Sequence, residues 1–377
     1  MSVAFHKPWY DRADEEALAA SLKSGKIVGD GDRTRLASGK LRSLLKVNHA
    51  LITPSCTHAL ELAMMVLDLQ PGDEVIVPSF TFVSTTNCVL RNGARVVFAD
   101  ILPTTLTVDI VDVRRKITSR TRAIMPVVYA GVAPEMDVLM SLARERNIAV
   151  VEDAAQAIGA SYNGKPLGSI GDIGCLSFHE TKNISTGEGG AFVTNNDAFA
   201  LRAEIIREKG TNRRQFMLGL VDKYTWVDVG SSYLPPDTTS ALLLSQLDKL
   251  DAIREKRAAI HRRYVEAFSS LVARGVLSLP VIPSHTISNH HIVYVLMQDE
   301  KTRNDALAFF RSKGVGTTFH YLPLHLSPVG LKMGYKQGDF PVTESVSGRL
   351  LRLPIYPSLR EEEQEMVIAT LMEFSGF

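Results

Sequence analysis

Between residues 49 and 195, short runs of apolar residues alternate with segments whose apolar positions recur at helical spacing. The runs predict strands at His49–Thr53, Glu74–Pro78, Arg95–Ala99, Ala123–Val128, Ile148–Glu152, Ile173–Phe178 and Gly190–Thr194. Most are nearly continuous in Val, Ile, Leu and Ala, the pattern of strands covered on both faces of a mainly parallel sheet. Within Ser55–Leu69, the residues Ala59, Leu62, Ala63, Val66 and Leu67 fall at i, i+3, i+4, i+7 and i+8, one apolar helical stripe. Strand–helix alternation of this kind predicts a three-layer α/β domain.

After about Pro236 the texture changes. A helical stretch carries Leu243, Leu247, Leu250 and Ile253 and runs into the basic segment Arg254–Arg263. Strand-like pieces follow at Ile292–Met297 and Gly316–His320, with helices at Asn304–Lys313 and Glu361–Phe374. The chain therefore divides into a large α/β domain, residues 1–245, and a smaller α+β domain, residues 246–377. Its 377 residues suit two domains, at roughly 100–200 residues each.

Composition narrows the partners. A net charge of +1 gives no basic field for nucleic acid or anionic membrane, so an anionic ligand must be held by local donors. Three cysteines, Cys56, Cys88 and Cys175, form no C-x-x-C pair, and neither a disulfide framework nor a metal site is expected. The N-terminal segment turns acidic where a signal peptide turns apolar, and no apolar run approaches the roughly 18 residues of a membrane helix. A reducing, cytoplasmic setting without membrane insertion is the expectation.

Three features carry candidate chemistry. Asp153 ends a buried strand, where α/β sheets place their ligands, although it could equally cap the next helix. Lys182 lies in a polar loop before the glycine-rich turn Gly187-Glu188-Gly189-Gly190; a lone loop lysine is ordinarily just solvated. Thr53-Pro54-Ser55-Cys56-Thr57 opens the first long helix, and such an N-terminus binds phosphate readily, or Ser55 and Thr57 merely cap it. Together they match the needs of pyridoxal 5'-phosphate (PLP): a lysine to hold it, an acid for its ring nitrogen and a cup for its phosphate.

With these motifs the chain resembles the DegT/DnrJ/EryC1/StrS sugar aminotransferases. The marks are Ser24-Gly25-Lys26-Ile27, the run from Pro78 to Thr85, Glu152-Asp153-Ala154-Ala155-Gln156, Lys182-Asn183, the glycine-rich turn and His320-Tyr321-Leu322-Pro323-Leu324-His325. The resemblance implies an aspartate-aminotransferase-like (type I) PLP fold with a mostly parallel seven-stranded sheet. The form His179-Glu180-Thr181-Lys182-Asn183 looks most like the branch that makes dTDP-4-amino-4,6-dideoxygalactose for enterobacterial common antigen and related glycans, including lipopolysaccharide O-antigen.

By that resemblance Lys182 would be the catalytic lysine that holds PLP and moves protons. Asp153 would pair with the ring nitrogen, Gln156 with the ring hydroxyl, and Phe82 would stack on the ring. Ser177 and the N–H groups of Cys56 and Thr57 would hold the phosphate. Ser232 stands where many members carry an asparagine that reaches the phosphate across a homodimer interface. The reaction implied is ping-pong transfer from L-glutamate, giving 2-oxoglutarate and pyridoxamine 5'-phosphate, to C4 of dTDP-4-keto-6-deoxyglucose. Alternatives are amination at C3, the gluco epimer, or a sugar dehydratase, whose known form has histidine in place of the lysine. For the nucleotide sugar, Lys26, Arg33, Arg207, Lys209, Arg213 and Arg214 are candidate cations, and His320 and His325 candidate pocket residues.

Overall fold

The computed structural model describes residues 2–376. Its centre is a seven-stranded sheet. Five strands are β1 (His49–Thr53), β2 (Glu74–Pro78), β3 (Arg95–Ala99), β4 (Thr121–Ile124) and β5 (Ala149–Ala154). The strands Ile173–Ser177 and Gly190–Thr194 complete it, in the spatial order β1, Gly190–Thr194, Ile173–Ser177, β5, β4, β2, β3. All neighbours are parallel except around Gly190–Thr194, which is antiparallel to both β1 and Ile173–Ser177.

Alternation along these strands divides the apolar side chains between two cores. Ile52, Ile76 and Val150 enter the core on one face, and Leu51, Val75, Val77 and Val151 the core on the other. Helix Cys56–Val66 covers the second face with Ala59, Leu62, Ala63 and Val66, and helix Asp237–Asp248 adds Leu243 and Leu247 to the first.

A separate apolar cluster gathers Val3, Tyr264, Phe268, Val295, Phe310, Leu351, Val367 and Leu371. It is built on the antiparallel pair Val293–Leu296 and Leu350–Leu353, with helices Leu250–Ala267, Glu300–Ser312 and Glu361–Phe374. Two expected strands differ. The run Ala123–Val128 keeps strand form only to Ile124, because Pro126 has no N–H to continue the ladder. In Gly316–His320 a single residue, Thr318, pairs, and its partner is Arg352; the sheet position beside Val293–Leu296 goes to Leu350–Leu353 instead.

Candidate active site

Consecutive carboxylates at the end of β5 take opposite faces. Glu152 is fully buried and accepts from the N–H groups of Gly168, Ile170 and Gly171 at 2.7–2.8 Å, fixing the loop before Ile173–Ser177. Asp153 turns toward a cavity of about 300 Å³. Its backbone is locked by bonds to the Pro126 carbonyl and the Val128 N–H. Its carboxylate accepts from the Thr85 hydroxyl at 2.7 Å and the Ala155 N–H at 3.3 Å. Burial pushes the Asp153 carboxyl up, opposed by these bonds and by the charge of Lys182. No ion pair neutralises it among the described residues.

Lys182 lines the same cavity. It sits on the loop between the antiparallel strands Ile173–Ser177 and Gly190–Thr194, which is held by Phe178 N–H to Gly189 O, Glu180 N–H to Gly187 O and Lys182 N–H to His179 O. The next residue, Asn183, anchors the loop: its Nδ2 donates to Asn289 O at 2.8 Å and its Oδ1 lies 2.8 Å from His291 Nδ1. Burial lowers the Lys182 pKa, Asp153 resists the shift, and the Arg352 charge adds to it. The amine is thereby brought toward its neutral, nucleophilic form.

The helix that starts at Cys56 points its N-terminus into the cavity, where first-turn N–H groups lack intrahelical acceptors. The Ser55 hydroxyl caps His58 N–H at 3.2 Å, and the Thr57 hydroxyl meets Ser84 at 2.8 Å. Gly190 closes against this turn: a Cβ there would fall 2.3 Å from Ser55 C and 2.5 Å from Cys56 N. Ser177, almost fully buried, adds a hydroxyl to the cup. Phe82, 59% exposed, presents its ring at the cavity rim. A part-buried amine, an uncompensated carboxylate, an N–H-rich cup and an aromatic face form a donor set that suits PLP.

Gln156 also lines the cavity, and its amide is oriented from both ends: Oε1 accepts from Ala130 N–H at 2.7 Å and Nε2 donates to the Tyr321 hydroxyl at 3.1 Å. His320 lines it too, stacked on Tyr321 with ring centroids 4.1 Å apart. His325 does not. Its ring is fully buried between the Ser79 hydroxyl (2.7 Å) and Glu344 (3.0 Å), both nitrogens engaged, so the expected substrate contact gives way to a structural one. Lys26 is exposed and lies outside this cavity. Arg213 lines a different cleft, with Arg207 and Arg214, and pairs with Glu208 at 3.2 Å. Ser232 does not line its own chain's cavity; it pairs with Glu208 in an isolated bridge.

Residues that carried no expectation stand in the wall. Arg257, His291 and Arg352 line the cavity, and Thr85 and Asn289 support it from behind. Asn289 Nδ2 donates to the Gln156 and Ile158 carbonyls, and Arg257 donates to the carbonyls of His290 and His291. The segment Ser288–His291 thus ties the lysine loop, the end of β5 and helix Leu250–Ala267 together. In sequence Arg257 hides within a basic run that looks like a solvated helix face.

Among the described residues no helix is long and apolar enough to cross a membrane, and no cluster of metal-binding side chains occurs. A model of the DegT/DnrJ/EryC1/StrS aminotransferase family matches residues 9–372. An uncharacterized protein of Methanocaldococcus jannaschii is 35% identical over 364 residues, 95% of this chain and 93% of that protein. The spore coat polysaccharide biosynthesis protein SpsC of Bacillus subtilis is 32% identical over 380 residues, covering 98% and 96% of the two chains. Among solved structures, Spr1654 of Streptococcus pneumoniae, assigned as a sugar aminotransferase, matches in its PMP form with a TM-score of 0.92 and 26% identity, covering 100% of this chain and 98% of that one. Its PLP form matches with the same TM-score and covers 99% of that chain.

Proposed function

The chain belongs to the DegT/DnrJ/EryC1/StrS aminotransferase family and is a PLP-dependent sugar aminotransferase, and we propose that it moves an amino group from L-glutamate to C4 of a nucleotide-linked 4-keto-6-deoxy sugar. The observation that carries the reading is that Lys182 and Asp153 open into one cavity beside the helix N-terminus at Cys56. The polysaccharide pathway named for SpsC supports a sugar acceptor. dTDP-4-keto-6-deoxyglucose, giving the 4-amino-4,6-dideoxygalactose product, is the specific substrate proposed, on the likeness of the Lys182 loop to that branch.

Lys182 would hold PLP, Asp153 its ring nitrogen, Gln156 the ring hydroxyl, and Ser177 with the Cys56 and Thr57 N–H groups its phosphate; Phe82 would cover one ring face. When bound, PLP supplies an aldehyde that links to amines and a protonated ring that accepts the charge left when a neighbouring carbon loses its proton. Lys182 Nζ, held toward neutrality by burial, is the base that takes the proton from the donor's α-carbon and carries it onward. Asp153 would keep the proton on the ring nitrogen, its carboxylate held in place by the Thr85 hydroxyl. Lys182 in place of histidine speaks against the dehydratase alternative.

We infer a homodimer. Met217, Leu218, Leu220, Trp226 and Val229 are each more than 60% exposed, an apolar stretch that a second copy would cover. Ser232 follows that stretch and would serve the partner's phosphate cup.

The test is direct. L-glutamate should bleach the visible band of the PLP-loaded protein, and 2-oxoglutarate should restore it. With dTDP-4-keto-6-deoxyglucose, mass spectrometry and NMR should find the 4-amino galacto product. No bleaching by any amino donor sinks the aminotransferase assignment to this cavity; bleaching without that product removes the named sugar alone.

A further inference from the structure

We propose that His291 positions the Lys182 amine, its Nε2 accepting one N–H of the lysine. The inference deepens the aminotransferase reading of this cavity and rests on it. His291 stands in the cavity wall with Lys182, and two buried asparagines decide what its ring offers there.

The hydrogen on the ring can be placed from its partners. Asn289 Nδ2 donates to the carbonyls of Gln156 and Ile158 at 2.8 and 2.9 Å, which makes its Oδ1 the acceptor that holds the His291 N–H at 3.1 Å. Gly131 packs directly on that amide, where a Cβ would fall 2.2 Å from Oδ1. Asn183 Nδ2 in turn donates to the Asn289 carbonyl, so the Asn183 Oδ1 is an acceptor too. The His291 Nδ1, 2.8 Å from it, must therefore carry the hydrogen. Burial holds the ring neutral, and of the charges that add to this effect Lys182 acts most strongly. A neutral imidazole with hydrogen on Nδ1 keeps a lone pair on Nε2.

Anchoring the lysine loop uses Nδ1 alone. Nε2 has no hydrogen-bond partner among the described residues, yet it is not among the buried polar atoms left unpaired. It opens to the cavity that the ring lines. Few other acceptors stand in this wall. Gln156 uses its oxygen on Ala130 N–H, Asp153 is assigned to the ring nitrogen, and Arg257, Arg352 and Lys182 bring donors. A sugar hydroxyl is the rival donor. The lysine is favoured because Asn183, the next residue in the chain, sets the ring, so loop and imidazole are oriented as one piece. A neutral amine has two hydrogens and one lone pair, and holding one N–H gives the lone pair a fixed direction. When Lys182 takes a proton, the same Nε2 meets the charge that forms.

The pyridoxamine-phosphate form, in which the Lys182 amine is free, is the probe. Trace acetylation by acetic anhydride across a pH series, read on the peptide that contains Lys182 by mass spectrometry, titrates that amine. His291→Asn keeps a donor for Asn183 and removes the acceptor at the Nε2 position. It should move the Lys182 titration down by about one pH unit, the scale of a lost bond to a charged group. Asp153 and Arg352, which also act on Lys182, are the same in every variant. His291→Gln loses the anchoring donor and its longer amide returns an acceptor, so it should stay within about half a unit of the wild type. A purely anchoring histidine predicts the reverse order, with His291→Gln the more disturbed, and that order overturns the proposal. So does a downward shift under about half a unit, or an upward one, in His291→Asn. A raised KM for the keto sugar with the titration unmoved hands Nε2 to a sugar hydroxyl. If His291→Asn fails to retain the cofactor, His291→Gln decides by the same half-unit limit. Bleaching of the PLP-loaded wild type by L-glutamate is the separate readout of transamination. Bleaching with a titration unmoved in His291→Asn removes the lysine contact alone, and a titration that depends on His291 without bleaching removes the reaction alone.

Discussion

The Thr85 hydroxyl donates to Asp153 Oδ2 at 2.7 Å, and the Thr81 hydroxyl lies 2.7 Å behind Thr85. All three residues are buried. With Thr85 donating to the carboxylate, Thr81 donates to Thr85, so a two-hydroxyl chain polarised toward Asp153 stabilises its charge where burial opposes it. Thr85→Val keeps the shape and removes the donor. It should lower kcat about 10- to 100-fold, the range of a hydrogen bond to a charged group, and move the pH titration of the bound cofactor's absorbance. Thr85→Ser should restore both to within about threefold. An unchanged spectral titration in Thr85→Val would detach Thr85 from the chemistry.

Lys182→Ala should end turnover by at least about a thousandfold, as loss of a positioned general base does, and also end covalent retention of PLP. Borohydride reduction followed by peptide mass mapping checks the second effect, with the cofactor's mass expected on the peptide that contains Lys182.

Gly190→Ala tests the cup. The added methyl meets backbone atoms of Ser55 and Cys56, which cannot rotate away as a flexible side chain would. Overpacking of this kind costs about 1–3 kcal/mol, and it displaces the helix N-terminus proposed to hold the phosphate. Denaturant unfolding should show the destabilisation, and PLP titration a weakened affinity for cofactor. A variant with wild-type PLP affinity would place the phosphate elsewhere.

A part-buried histidine sets an acid limit. His290 has its pKa lowered to about 4 by burial and by the neighbouring charges of His261, Arg257, Arg262 and Arg254. Between the unfolded value near 6.5 and about 4, the unfolded chain binds a proton that the folded chain refuses. Stability therefore falls as pH drops through that window. His290→Asn, chosen because His290 has a φ of 50° that asparagine tolerates, should flatten the decline. Thermal midpoints of the cofactor-free protein at pH 7 and pH 5 measure it.

Where burial alone shaped the sequence, the fold was readable. The strands at His49–Thr53, Glu74–Pro78, Arg95–Ala99 and Gly190–Thr194 occupy their expected residues because each is a short, nearly unbroken apolar run. Leu350–Leu353 escaped notice because Arg352 interrupts its apolar pattern, and that interruption is what faces the cavity. His320 and His325 are alike in sequence context, yet one faces the cavity and the other holds Ser79 and Glu344. The direction of a side chain in a proline-rich segment depends on tertiary packing, which has no period to read. Thr85 lay inside a recognised motif, but its partner is 68 positions away, and a single hydroxyl gives no sign of so distant an acceptor.

The reversed strand Gly190–Thr194 has its own consequence. Because Ser177 sits opposite Gly190 in register, the connection bearing Lys182 leaves and re-enters the sheet between two clamped feet. Surface connections commonly absorb extra residues, but this one works as a ruler. One residue gained or lost inside it would either swing the amine out of line with Asp153 or shift the returning strand by a position, sending Phe192 to the face that holds Ala191 and Val193. Apart from Lys182 and the anchoring Asn183, it is the length of this connection, more than its side chains, that the fold fixes.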